Sequence, residues 1–294
     1  MTPHDYDFLR KCLKDRSGLV LSAEKQYLVE SRLLPVARKA GVTTLGELVS
    51  KLRGAHDPAL MTGVVEAMTT NETFFFRDKV PFEHFRATIM PALLEARRAA
   101  RTIRIWCAAA STGQEPYSLA MYLKEIERDI LGWRIEMLAT DLSGEVLEKA
   151  RAGIYSQFEV QRGLPIQLLV KHFTRSGEVW QIAPELRAMV RYRQLNLLAD
   201  FSNLGTFDIV FCRNVLIYFD AETKTDVLNR IARVTASDGY LVLGAAETVV
   251  GLTNRFKMVA DRRGLYAPNL DPPRPSILDG VRTAPRLVAI QGGR

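Results

Sequence analysis

The stretch Ala108 to Ser118, AAASTGQEPYS, follows an apolar run and sets the small residues Ala108, Ala109, Ala110, Ser111 and Gly113 ahead of an acid, Glu115. Small side chains let a backbone approach a ligand closely, and the carboxyl end of a strand in an open α/β sheet is where ligands sit. The dinucleotide pattern GxGxxG is absent, and a carboxylate in this loop repels a pyrophosphate while attracting a cation. The sign of the charge favours an ammonium or a sulfonium, the two cationic groups of S-adenosylmethionine. Glu115 and Pro116 also suit the first turn of a helix, where Pro fits and an acid complements the dipole.

Asp141 ends a second apolar run, where a carboxylate can accept hydrogen bonds from both hydroxyls of a ribose. It also suits the N-cap of the helix GEVLEKARAG, although Ser143 can fill that place and leave the acid to a ligand. A fourth apolar run ends in FCRNVLIYFD, which puts Arg213 and Asn214 at a strand's carboxyl end and Tyr218 one turn further on. Tyr218 serves equally well as an amphipathic side chain on a core helix. In TTNETFFFRD three successive phenylalanines cannot all face one core. If the segment is extended, Asn71 and Thr73 share a face that can cover a ligand, and Arg77 brings a permanent cation to the cleft. Plain packing accounts for the segment as readily.

Elements of two kinds must hold these residues. Residues 1–70 read as amphipathic helices, FLRKCL, EKQYLVESRLLPVARKAG and TTLGELVSKL, the last with Thr44 and Glu47 at capping-box spacing. From Ile103 short apolar runs alternate with helical segments: IRIWCAAA, IEMLATDL, VRYRQLNLL, FDIVFCRN and GYLVLGAA. Runs apolar on both faces and separated by helices indicate a parallel sheet covered on each side. FKMVADRRGLYAP reads as an antiparallel hairpin turning at Asp261 to Gly264 and added at one edge. The expected organisation is a helical domain over 1–70, a linker and connecting helix over 71–102, a catalytic domain over 103–268 with an insert at about 155–190, and a flexible tail over 269–294. Five of the 13 prolines fall after Tyr266.

With 47% hydrophobic residues in 294, the chain can bury a full core and is not of the disordered class. The amino terminus lacks an uninterrupted apolar stretch, so neither a signal peptide nor a membrane anchor is expected and the location expected is cytoplasmic. Cys12, Cys107 and Cys212 are odd in number and far apart, which suits reduced thiols and gives no expectation of a metal. The net charge of +7 is scattered without a basic block, so no nucleic-acid partner is expected and an acidic protein partner fits.

Taken in order and spacing, NETFFFR, IRIWCAAASTGQEPYSLAM, ATDLS, GIY, NLL, FCRNVLIYF and GYLVLGAAET resemble the CheR family of chemoreceptor methyltransferases over roughly residues 5 to 267. The resemblance implies an α/β fold: a Rossmann-like S-adenosylmethionine-dependent methyltransferase sheet, a small N-terminal all-α domain and a small antiparallel β insert. It implies cofactor contacts from Asn71, Thr73, Arg77, Glu115, Asp141, Asn196, Leu197, Arg213 and Asn214, with S-adenosylhomocysteine as product and no metal. Arg77 and Tyr218 are the expected catalytic residues. The implied activity is transfer of methyl to glutamate carboxylates of methyl-accepting chemoreceptors, whose helical cytoplasmic region docks against the N-terminal domain. Family members that tether to a receptor pentapeptide carry a longer glycine-containing turn in the insert. Here that turn is short around Ser176 and Gly177, which predicts a member working without the pentapeptide. GAAET stands where Gly-Ser-Glu is more usual, and no site residue is expected there. An S-adenosylmethionine-binding adaptor without turnover, or a methyltransferase of another acidic protein, has the same cofactor residues.

Overall fold

Strands form where short runs of apolar and β-branched residues are bounded by turn residues, and in the computed structural model, which describes residues 1–54 and 57–270, all the expected runs do so. They are β1 (Thr102–Ala108), β2 (Arg134–Asp141), β3 (Ile154–Ser156), β4 (Phe173–Ser176), β5 (Val179–Ile182), β6 (Val190–Gln194), β7 (Phe207–Cys212), β8 (Thr235–Leu243), β9 (Phe256–Met258) and β10 (Leu265–Pro268). The main sheet has the order β6-β2-β1-β7-β8-β10-β9. Its first five strands are parallel, and β10 and β9 add the expected antiparallel edge hairpin.

Register decides where the chemistry is placed. Ala108 of β1 stands beside Thr140 of β2 and Cys212 of β7, so three strands deliver their following loops at one level. The strand order reverses between β1 and β7, and such a switch point opens a crevice beyond the carboxyl ends. Both faces of the sheet are covered: β7 is buried along its whole length, and Trp106 is fully buried with its indole N–H donated to Thr140 Oγ1 at 2.9 Å.

Helices α1 (Pro3–Ser17), α2 (Gln26–Lys39), α3 (Leu45–Gly54) and α4 (Pro58–Met68) form a bundle around Leu9, Leu13, Val29, Leu33, Leu48 and Val64. The capping box expected at α3 is present, Glu47 N–H to Thr44 Oγ1 at 3.2 Å and Thr44 N–H to Glu47 Oε2 at 3.0 Å. The fourth helix was not among those expected. Its signal is Asp57-Pro58: Asp57 Oδ1 accepts the Leu60 N–H at 3.0 Å and Pro58 opens the first turn.

A connecting helix follows as α5 (Val80–His84) and α6 (Met90–Ala96), joined through a wider π-type turn at Phe85–Ile89. Pro91 has no N–H to continue the ladder, and the Met90 N–H reaches back to Phe85 O. Helices α7 (Gln114–Glu125), α8 (Gly144–Ala152), α9 (Gln157–Gln161), α10 (Ile166–His172), α11 (Pro184–Ala188) and α12 (Ala221–Arg233) complete the chain. The insert is a three-stranded antiparallel sheet, β3-β5-β4, in which Ser176 pairs with Val179. Its turn is therefore only Gly177 and Glu178, with Gly177 at φ +60°. Of the expected tail, residues 271–294 lie outside the described residues.

Candidate functional site

The three phenylalanines of the linker part company at a sharp turn in which Phe76, Asp78 and Lys79 all take positive φ. Phe75 is fully buried against Tyr155 and Phe173, Phe76 packs edge-on to Phe82, and Phe74 lies under the guanidinium groups of Arg162 and Arg77. The linker thus runs across the carboxyl end of the sheet. It closes one side of a cleft of about 1010 Å³, part of it open to solvent.

Every residue expected at the site lines this cleft: Asn71, Thr73, Arg77, Glu115, Asp141, Asn196, Leu197, Arg213, Asn214 and Tyr218. The helical bundle contributes Ser17 and Leu19 to the same wall. Polar contacts dock it there, among them Val20 N–H to Tyr218 O at 2.9 Å, Lys14 Nζ to Asp220 Oδ2 at 2.6 Å and Gly144 N–H to Glu66 Oε1 at 2.6 Å.

The loop after β1 is tightly fixed. Ala109, Ser111 and Gly113 have positive φ, and a Cβ on Gly113 would stand 2.9 Å from both Ala150 Cβ and Tyr192 Oη. Glycine is required at that point. Ser111, a loop residue with no role expected from sequence, ties three elements together. Its N–H donates to Asp141 Oδ2 at 2.8 Å and its hydroxyl to Asn71 O at 2.8 Å.

Asp141 is buried, and Ser143 caps α8 as anticipated. The acid is not wholly released to a ligand, however, since its Oδ1 accepts the Ser143 N–H at 3.0 Å while Oδ2 holds Ser111. Each oxygen retains a second lone pair. Burial raises its pKa above the usual range, and the donors from Ser143 and Ser111 pull it part of the way back.

Glu115 is buried in the first turn of α7 and does not stand alone. Its Oε2 accepts from Arg213 Nη1 at 2.7 Å. Arg213 Nη2 also donates to Asp78 Oδ2 at 2.8 Å and to the Arg77 carbonyl at 2.9 Å. Burial raises the Glu115 pKa, against the pull of Arg213. Arg77 Nη1 donates to the Glu72 carbonyl at 2.6 Å, and its guanidinium lies 5.7 Å from the Phe74 ring centre. The Asn196 side chain also donates to the Arg16 carbonyl at 2.6 Å and accepts the Leu198 N–H at 2.9 Å. Leu197 is buried, with its carbonyl held by Arg230.

Buried carboxylates beside a tight small-residue loop, at the switch point of a parallel sheet with an antiparallel edge hairpin, define the class of S-adenosylmethionine-dependent methyltransferases. The residues fit that cofactor: Asp141 keeps lone pairs for a diol, and buried Arg213 Nε has no partner among the described residues, leaving a donor for a carboxylate. Residues 71–265 match the CheR methyltransferase S-adenosylmethionine-binding domain and residues 4–69 its all-alpha domain, and the chain belongs to the CheR methyltransferase family. Chemotaxis protein methyltransferase 1 of Pseudomonas aeruginosa is 44% identical over 265 residues, 89% of this chain and 96% of that protein. Chemotaxis protein methyltransferase Cher2 of Pseudomonas putida is 42% identical over 265 residues, with the same shares of 89% and 96%. Chemotaxis protein methyltransferase 1 of Vibrio cholerae is 40% identical over 262 residues, 88% of this chain and 94% of that protein. No described helix is long and apolar enough to cross a membrane, and no cluster of three His, Cys, Asp or Glu among the described residues is placed to hold a metal ion.

Proposed function

We propose that this chain methylates glutamate side-chain carboxylates in the helical cytoplasmic region of methyl-accepting chemoreceptors, using the cleft residues of the sequence reading as its cofactor and catalytic groups. The observation that carries the reading is the presence of Arg77 and Tyr218 in the same cleft as Glu115, Asp141 and Arg213. The names of the three relatives support a place in chemotaxis.

When bound, S-adenosylmethionine supplies a methyl on a sulfonium, transferred in line to a carboxylate oxygen to leave a glutamyl 5-methyl ester and S-adenosylhomocysteine. A glutamate of pKa about 4.3 is already ionised at neutral pH, so no general base is needed. Arg77 orients the incoming carboxylate through its guanidinium fork, and the Tyr218 hydroxyl donates to the second oxygen. Asp141 accepts from the ribose hydroxyls, while Asn71 and Thr73 cover the cofactor. The docked bundle walls one side of the cleft, and desolvation of the bound partners favours a step in which opposite charges disappear. The two-residue turn at Gly177 and Glu178 supports docking without a receptor pentapeptide, and the site of action is the cytoplasm.

The test is transfer of radiolabelled methyl from S-adenosylmethionine to cytoplasmic receptor fragments, followed by mild base. Base-labile label on glutamates is the expected result. Cofactor binding without any label on the fragments overturns the receptor reading in favour of another acidic substrate or a non-catalytic adaptor.

A further inference from the structure

The loop after β8 carries no expected site residue, yet Glu247 within it is buried and both of its oxygens are filled by main-chain donors. Oε2 accepts the Asn214 and Gly244 N–H groups, each at 2.8 Å, and Oε1 accepts those of Val215 at 3.0 Å and Leu216 at 2.8 Å. Successive N–H groups at 214, 215 and 216 converging on one point form an anion-binding nest. Here the fold supplies the anion itself.

That nest exists only because Asn214 takes φ +59°, a left-handed conformation that needs support in a residue with a Cβ. Arg213 precedes it and Tyr218 follows within the same loop, so one carboxylate fixes the segment that brings three cleft residues to their places. Gly244 makes room for this arrangement. A Cβ there would meet Glu247 Oε2 at 2.8 Å and Asn214 Nδ2 at 2.9 Å.

We propose that Glu247 is a positioning residue for the cofactor: its four main-chain bonds hold the Arg213–Asn214 turn in its binding shape, and Gly244 is the space that permits it. This rests on the reading of the cleft as the cofactor site. Asp208 provides a control, because it is buried too and holds Arg97 Nε at 2.9 Å and the Arg104 N–H at 2.7 Å, but from the opposite end of β7.

The experiment is calorimetric titration of S-adenosylhomocysteine into wild type, Glu247→Gln and Asp208→Asn, with melting curves for each. An amide turns N–H donors toward two main-chain N–H groups, so Glu247→Gln is expected to raise Kd at least about tenfold. Asp208→Asn, although it lowers Tm, is expected to leave Kd within about twofold. Glu247→Gln within twofold of wild type overturns the proposal, as does an equal loss of affinity in Asp208→Asn. If Glu247→Gln fails to fold, Gly244→Ala reads the same contact, with tenfold weaker binding expected and unchanged binding overturning the proposal. Failure of the wild type to bind S-adenosylhomocysteine would instead remove the cofactor reading of the cleft, a separate outcome.

Discussion

Arg213 and Glu115 form a buried ion pair at 2.7 Å on the floor of the cleft, the guanidinium side chain being only 2% exposed. Removing one member of such a pair leaves a buried charge uncompensated, typically at about 3–5 kcal/mol. Arg213→Met is therefore expected to lower Tm by roughly 10 °C in a chain of this size. Differential scanning calorimetry checks this, and an unchanged melting point would mean that the pair does not contribute to stability. Glu115→Gln, which still offers Arg213 an acceptor, should melt closer to wild type.

Arg77 and Tyr218 should separate binding from chemistry. Arg77→Ala is expected to reduce turnover by about a hundredfold or more, the scale of losing a positioned charged donor in a dry site, with a smaller change in cofactor affinity. Tyr218→Phe keeps the ring and removes the hydroxyl, with a loss of about tenfold in kcat expected from one hydrogen bond. Steady-state kinetics alongside cofactor titration distinguishes the two effects. A loss of cofactor binding alone in Arg77→Ala would make Arg77 a ligand for the cofactor and leave it no part in transfer.

Asp141 gives a pH dependence. Burial raises its pKa, so the acid protonates at a higher pH than an ordinary aspartate, whose value is about 3.9. The ionised form accepts from a diol. Affinity for S-adenosylhomocysteine should therefore fall as pH is lowered through that raised value, at a higher pH than titration of an ordinary aspartate would give. The sign for stability is the reverse: a carboxyl with a raised folded pKa destabilises the fold when ionised, and that cost is relieved as pH falls through the folded pKa. Asp141→Asn should weaken binding at neutral pH and flatten this part of the affinity profile, as read by calorimetry at several pH values.

Gly163 tests how the linker is held against the insert. It lies at φ +82°, and a Cβ would fall 2.1 Å from the Phe75 carbonyl oxygen. Gly163→Ala is expected to cost about 2–4 kcal/mol, since both backbone strain and a clash with main chain are introduced. The observable is a lower midpoint in urea unfolding. Gly177→Ala, at φ +60° with open space around it, should cost less.

Strand ends were legible in the sequence because a parallel strand buried on both faces reads as an apolar run, and the polar residues that stop it stand at the sheet's carboxyl edge. That pattern points to Asp141, Arg213 and Asn214, and the small-residue loop points to Glu115; all four line the cleft. Residues acting through the main chain carry no such mark. The four donors to Glu247 come from two segments whose convergence depends on the positive φ of Asn214, and nothing in the letters GAAET discloses it. The sharp turn that follows Phe75, with Phe76, Asp78 and Lys79 all in left-handed conformations and none of them glycine, is likewise not disclosed by the residue types. The engagement of Asn196 with the end of α1 arises only once the bundle has docked, 180 residues away along the chain. By contrast α4 was missed although Asp57-Pro58 announces it, because Gly63 and Thr62 weaken its pattern.

Arg77 lines the cleft while its carbonyl oxygen accepts from Arg213. The joint between the two halves of the protein is thus also part of the cleft wall. Cut the chain anywhere between 70 and 103, and each fragment would carry away half of a wall. An exchange of bundles between relatives would succeed only if the seam residues travelled with them, together with the partners of Val20, Lys14 and Glu66 on the other side.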